Sequence, residues 1–343
     1  MKKRYQTQKG KKQTFIRRRY SEKRLSETWK RKKLFSKKKM RIANITARVK
    51  SEEQAKKPYL DHPAPKNFSL IDNTNEVLAY FNNARDKFKD GNNIRFDISG
   101  VSVLTPPTIA LLVASINSPS FVNGANLYGT APVDQNLLTL FKASGFYNFV
   151  TSRMSKGTTK GNLLLRESDT IAVGSVAKEA VLTGIRHTFK NENPFEPLYD
   201  ILIECMVNTN NHANLNSKDK CKWWLYVYTD STTSITSYSF FDLGIGIFES
   251  KGVQGYIKKI LKATVVKNID MVDKLLAGEL GTRMTKDSDI RGKGLPQIVE
   301  YSKQSEFKEF YIIANNVKID LKTGNREELS SALTGTFLYW EIH

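Results

Sequence analysis

Cysteine is scarce: Cys205 and Cys221 are the only two in 343 residues. They form no Cys-x-x-Cys pair, which argues against a disulfide framework and fits a reducing compartment. Long apolar runs are missing too. The longest, near 109-IALLVASI-116, falls well short of the ~20 residues that span a bilayer. The Lys-rich N-terminus is followed by no apolar core segment, so no secretory signal is expected. These absences predict a cytoplasmic protein with no membrane-embedded part. Acidic residues are short in one place only. Residues 1–57 hold 23 Lys+Arg against 4 Asp+Glu, whereas the other 286 residues are nearly balanced, so almost all of the formal net charge of +20 sits on one arm.

The arm carries basic clusters at 1-MKKR, 17-RRRY, 30-KRKK and 37-KKKMR, with Tyr5, Phe15, Tyr20, Trp29 and Phe35 interleaved. Such blocks read as largely disordered when free, with helical character across 21–40. Dense positive charge gains affinity for a phosphate backbone through counterion release, and aromatic rings stack on bases. Residues 1–57 are therefore expected to meet nucleic acid or another polyanion, without sequence-specific readout. A solubilising tail is the plainer alternative. Residues 58–67, PYLDHPAPKN, hold three prolines and read as a linker.

Two modules follow. In the first, 68–150, helical periodicity covers 75–89, 107–117 and 133–144, and strand-like stretches are 94-IRFDIS and 125-ANLYG. Strands alternating with helices of this length imply βαβ crossovers. The second module, 160–343, opens with helices near 173–188 and 196–213. The strands 222-KWWLYVYTD and 235-ITSYSFFD come next, then a long Lys- and Gly-containing segment, 248–291. A helix starting near Pro296 precedes strands near 308–314, 316–322 and 335–342. The fold class is α/β (α+β).

The second module contains 203-IECMVNTNNHA-213. Glu204, Asn208 and His212 recur every four residues and form one stripe of a helix. Alone, such a stripe usually marks a solvated face. Two later stretches alter that balance. In 242-DLGIGI-247 an Asp at a strand end precedes alternating glycines, which let the backbone pass close to a ligand. In 291-RGKGLPQIVEY, glycines lead into a helix whose free N–H groups and positive dipole end suit phosphate.

In that order these motifs resemble the GHKL ATPase superfamily, which includes gyrases, heat-shock chaperone ATPases, histidine kinases, mismatch-repair ATPases and anti-sigma-factor kinases. The segment 204-ECMVNTNNHA is similar to the family's N box, in the form closest to anti-sigma kinases. The stretches 242-DLGIGI and 291-RGKGL resemble its two glycine boxes, and 335-GTFLYWEI its final Gly-Thr strand. The resemblance spans roughly 170–343 and implies an α/β sandwich that binds ATP with Mg²⁺. It implies that Asn208 ligates Mg²⁺ and that Asp242 accepts the adenine amino group. Gly244 and Gly246 would make room for the nucleotide. Gly292, Lys293, Gly294 and Leu295 would set backbone N–H groups by the phosphates, and Thr336 would lie near adenine. Glu204 would act as general base on water or a substrate hydroxyl. His212 has either a site role or a structural one. Lys251, Lys258, Lys259 and Arg283 fall in the lid segment, and Cys205 is expected as buried packing. Pro296 stands where the family's second box ends in glycine, which leaves one fewer flexible point at the lid hinge.

The run 94-IRFDISGVSVLTPPTIALL, with 133-VDQNLLTLFKASGF, resembles the STAS domain of anti-sigma-factor antagonists over about 68–148. The position of the antagonists' phosphorylated serine corresponds to Pro106, which has no hydroxyl; Thr105 and Ser102 are the neighbouring candidates. His187 lacks the context of a phospho-acceptor histidine. The chain ends straight after the last expected strand, so the following domain of topoisomerase, mismatch-repair and chaperone relatives is not expected. The expected function is an Mg-dependent ATP-binding, ATP-hydrolysing regulator. Its nucleotide switch is coupled to a STAS-like domain, which would pair intramolecularly or in a homodimer, and its arm contacts nucleic acid, in bacterial regulation or phage defence. The alternatives are a protein Ser/Thr kinase of the anti-sigma type with an external protein partner, and a non-catalytic nucleotide-sensing module.

Overall fold

The computed structural model describes residues 52–151, 163–168, 172–212, 222–230, 232–250, 253–254, 266–280 and 294–343. The chain divides into Met1–Pro58 and Tyr59–His343. Of the first unit, the described part is a helical turn at 52–55 and the residues up to Pro58, so the arm expected at 1–57 lies almost wholly outside the described residues.

The second unit begins with β1 (Tyr59–Pro63), β2 (Asn67–Phe68), α1 (Thr74–Lys89), β3 (Asn93–Asp97) and β4 (Val103–Leu104). Then come α2 (Pro106–Ile116), α3 (Pro119–Val122), β5 (Leu127–Gly129) and α4 (Gln135–Ala143). Strands β1, β3 and β5 form a parallel sheet in that order, and β2 pairs β4 in parallel. Residues 58–67 are thus not a linker. All five residues of β1 pair in register with β3, from Tyr59↔Asn93 to Pro63↔Asp97. The strand lies at the sheet edge, where a proline forfeits no ladder bond that a neighbour needs.

Helix α1 buries Val77, Leu78, Phe81, Ala84 and Phe88, a 3-and-4 spacing that makes one apolar stripe. Helix α2 is apolar all round and is buried from Pro107 to Ser115, with both prolines in the first turn where no N–H is needed. Helix α4 is capped by Asp134, which accepts the Asn136 and Leu137 N–H groups at 2.9 Å each.

The remaining elements are β6 (Leu163–Ser168), α5 (Gly174–Thr188), α6 (Glu196–His212), β7 (Trp223–Thr229), β8 (Thr236–Asp242), α7 (Val272–Leu276), α8 (Gly294–Ser302), β9 (Phe307–Asp320) and β10 (Arg326–Ile342). They build a five-stranded sheet, order β6-β7-β8-β10-β9, antiparallel throughout. The protein is therefore a mixed α/β fold with both parallel and antiparallel sheets.

Every residue of β8 is buried, as is all of β7 except Tyr228. An antiparallel strand with one wet face alternates apolar and polar; these do not, because both faces are covered. Trp223, Leu225, Phe240 and Trp340 join the core under α5 and α6. Their neighbours Trp224, Tyr226, Phe241 and Phe337 join the core of α1 and α2 instead. The segments 68–150 and 160–343 thus lie in one compact unit and share the large sheet. The strands expected at 308–314 and 316–322 are one strand, β9, with a register shift against β10 next to Asn315. Among the described residues no helix is long and apolar enough to cross a membrane.

Candidate functional site

Helix α6 is positioned by the side it buries. Leu198, Ile201, Leu202, Cys205 and Met206 are essentially solvent-free, which leaves Glu204 and Asn208 on a half-buried flank. The N-terminus of α8 lies over that flank. A Cβ built on Gly294 would run into the Glu204 carboxylate, 3.2 Å from Cδ, and come 3.5 Å from Asn208 Nδ2. Only glycine allows this approach without displacing Glu204. The two helices are tied one turn further along: Tyr301 Oη donates to Asp200 Oδ2 at 2.8 Å, and Gln297 Nε2 donates to Tyr301 Oη at 2.7 Å. Burial, and then the charge of Asp200, pushes the Glu204 carboxyl above the usual carboxylate range.

The second half of the site is at the end of β8. Asp242 is buried and stands opposite Thr336 of β10 in the antiparallel register. Its Oδ1 accepts the Gly244 N–H at 3.0 Å, and the Thr336 hydroxyl and N–H add further bonds. Burial dominates and raises its pKa to about 6, while these hydrogen bonds pull the other way. Gly335, with φ +111°, lets β10 pass against the Asp242 carbonyl; a Cβ there would overlap that oxygen and lie 2.9 Å from Leu243 Cα.

Cys205 is buried on α6 next to Glu204. Its buried thiol is pushed well up by desolvation, then by the charges of Glu204 and Asp242. Cys205 is thus the packing residue expected, set within electrostatic reach of both carboxylates. Glu204, Asn208 and Gly294 thus form one cluster at α6 and the N-terminus of α8, and Asp242, Gly244 and Thr336 form another at the end of β8. Gly246 closes the glycine turn at φ +82°, and Leu295 packs half-buried on the core beneath α8. Gly292, Lys293, Lys251, Lys258, Lys259 and Arg283 lie outside the described residues, as does Cys221. His212 ends α6, and its side chain is likewise outside the described part.

Sequence reasoning missed the tie from Asp200 to Tyr301 and Gln297, and it missed Asn315, whose side chain reaches the glycine turn. The available signal for Asn315 was a polar pair, Asn315–Asn316, interrupting the apolar run 310-FYIIANNVKI.

In the 68–150 segment, Asp97 at the end of β3 accepts Ser99 N–H at 3.0 Å, Ser99 Oγ at 2.6 Å and Thr130 Oγ1 at 2.7 Å. These bonds, the Ser99 hydroxyl first, hold its pKa down at about 2. Pro106 starts α2 with no hydroxyl to offer; Thr105 Oγ1 is 3.0 Å from Thr108 Oγ1, and Ser102 Oγ donates to the Lys66 carbonyl at 3.2 Å. His187 Nε2 bonds the Thr233 carbonyl at 2.9 Å, a structural tie.

The raised pKa of Asp242 gives a stability prediction. A carboxyl whose folded pKa lies above its ordinary 3.8 stabilises the fold fully below that value and loses the contribution as pH rises through about 6. The group's contribution is about 3 kcal/mol. Urea unfolding between pH 4 and 7 is expected to show wild-type stability falling relative to Asp242→Asn across this window. Parallel profiles for the two proteins would refute it.

Arranged this way, the site offers a buried hydrogen-bond acceptor at one end and a carboxylate, an amide and a helix N-terminus at the other. No protein-family model matches the chain, and no curated protein is similar to it in sequence.

Proposed function

We propose that this protein binds ATP with Mg²⁺ in a GHKL-type sandwich domain and hydrolyses it slowly. In this reading, nucleotide occupancy is signalled to a STAS-like half, and a basic arm engages nucleic acid. One observation carries the proposal. Asp242 is a buried acceptor beside glycine backbone, and Glu204 and Asn208 lie under the N-terminus of α8. A carboxylate acceptor suits the exocyclic amine of adenine, and a helix N-terminus suits phosphates.

The amide of Asn208 would provide a hard oxygen ligand for Mg²⁺, a cation that needs few protein ligands. When bound, Mg²⁺ would neutralise phosphate charge. Glu204, kept basic enough by burial and Asp200, would take the proton of the attacking water.

The switch part of the proposal draws on how α1 grips β10. Asn75 Oδ1 accepts the Ser330 N–H at 2.8 Å and the Ser331 N–H at 3.4 Å, and Asn82 Nδ2 donates to the Ala332 carbonyl at 2.9 Å. This irregular stretch of β10 runs directly into Gly335 and Thr336. A shift at the base end of the site would therefore be felt by α1.

The test is calorimetric titration with Mg·ATP. Wild type is expected to bind, and Asn208→Ala to bind at least about tenfold more weakly in Mg²⁺ but equally in EDTA, since one lost metal ligand is worth roughly that factor. Absence of any nucleotide affinity in wild type would sink the proposal.

A further inference from the structure

We infer that Asn315 is a specificity-determining residue: its carboxamide fixes the turn that carries Asp242 and so sets the choice of adenine over guanine. The inference rests on the nucleotide reading above.

The turn Asp242–Phe248 has few fixed points of its own. Asp242 holds its near end by accepting the Gly244 N–H. Beyond that, the carboxamide of Asn315 spans it: Nδ2 donates to the Ile245 carbonyl at 2.9 Å, and Oδ1 accepts the Phe248 N–H at 3.2 Å. Phe248 is fully buried and anchors the far end. Gly246 sits between these anchors, where a Cβ would lie 2.7 Å from both Cγ and Nδ2 of Asn315. The side chain and the turn are thus fitted to each other with no slack.

Asn315 is presented by an unusual backbone. Its φ is +52°, in the left-handed region that asparagine tolerates better than most residues. The β9–β10 ladder shifts register there, with Leu333 paired to Asn315 and Thr336 to Ala314. Such bulges re-aim side chains beside functional sites. This one turns Asn315 toward the glycine turn and places Gly335 against Asp242.

The consequence is chemical. The Asp242 carboxylate accepts from an exocyclic amine. Guanine presents a carbonyl oxygen at the equivalent edge position, and two acceptors repel. That repulsion discriminates only while the carboxylate cannot move aside, and the Gly244 N–H that helps hold it belongs to the turn that Asn315 ties down. A site built around a fixed polar group rejects the wrong partner far better than one that adapts.

The test uses Asn315→Gly, which keeps the positive φ and deletes the carboxamide, and Asn315→Asp, which keeps an acceptor and loses the donor. Dissociation constants for Mg·ATP, Mg·GTP and Mg·tripolyphosphate are measured by calorimetry on the full chain, with the Tm of each variant. Wild type is expected to prefer ATP. Asn315→Gly should shrink the ATP-to-GTP preference by about tenfold, the scale of one lost buried hydrogen bond, with tripolyphosphate affinity unchanged. Asn315→Asp should fall between the two. An unchanged preference in the variants, with a lowered Tm, means that Asn315 only stabilises the bulge and overturns the inference. If Asn315→Gly does not fold, Asn315→Asp decides in the same way. A wild type that binds tripolyphosphate and ATP but does not prefer ATP over GTP overturns the inference and leaves the nucleotide reading standing. A wild type that binds none of the three overturns both.

Discussion

Glu204→Gln is expected to lower ATP turnover by about 10²- to 10⁴-fold, the usual contribution of a positioned general base, while Mg·ATP still binds. Glutamine keeps the size of the side chain, so the close approach of Gly294 survives. What it loses is the ability to take a proton. Burial and then the neighbouring Asp200 raise its pKa, the direction the proposed role calls for. The measurement is phosphate release at saturating ATP, beside calorimetric affinity for the same preparation. Full turnover in the variant would assign the base elsewhere. Loss of affinity with intact maximal rate would make Glu204 a binding residue. Transfer of label from ATP to a protein, rather than release as free phosphate, would favour the kinase alternative for the same carboxylate.

The second large effect is expected at Gly335→Val, with a loss of about 3 kcal/mol or more from backbone strain and overpacking together. The φ of +111° is closed to a β-branched residue, and the new Cβ would overlap the Asp242 carbonyl. Relief requires β10 to move away from β8, which breaks the Thr336–Asp242 pairing and the hydrogen bonds on the buried carboxylate. Nucleotide affinity should disappear with it. Gly324→Ala is the control. Gly324 also has positive φ, +77°, but a Cβ there meets nothing within 4 Å. Its cost is strain alone, about 1 kcal/mol. Urea unfolding of both variants separates the two terms, and equal midpoints would show that the close approach at Gly335 matters little.

Much of this architecture was legible in the chain. The apolar stripe of α1 is written in Val77, Leu78, Phe81 and Phe88, and α2 follows from its prolines and continuous apolar run. These are local signals, since a helix repeats within a few residues. The same holds for α6 and for the Asp-x-Gly-x-Gly turn after β8. Glu204, Asn208, Asp242, Gly294 and Thr336 were named through the family resemblance; the fold sets Glu204 and Asn208 beside Gly294, and Asp242 opposite Thr336. The failures are non-local. Strand β1 is polar and proline-bounded, and only pairing with β3 makes it a strand. The extension of β10 back to Arg326 likewise depends on β9.

Sequence by itself determined the elements whose periodicity is local, the order of the glycine-rich turns, and the segregation of positive charge onto residues 1–57. It had no means of saying what covers each face of the large sheet. Tertiary structure decided that α1 and α2 lie on one face and α5 and α6 on the other, because burial is a property of distant surfaces meeting. It also decided the role of Asn315. A hydrogen bond between side chain and backbone about 70 positions apart leaves no periodic trace, and only folding brings β9 beside the turn after β8.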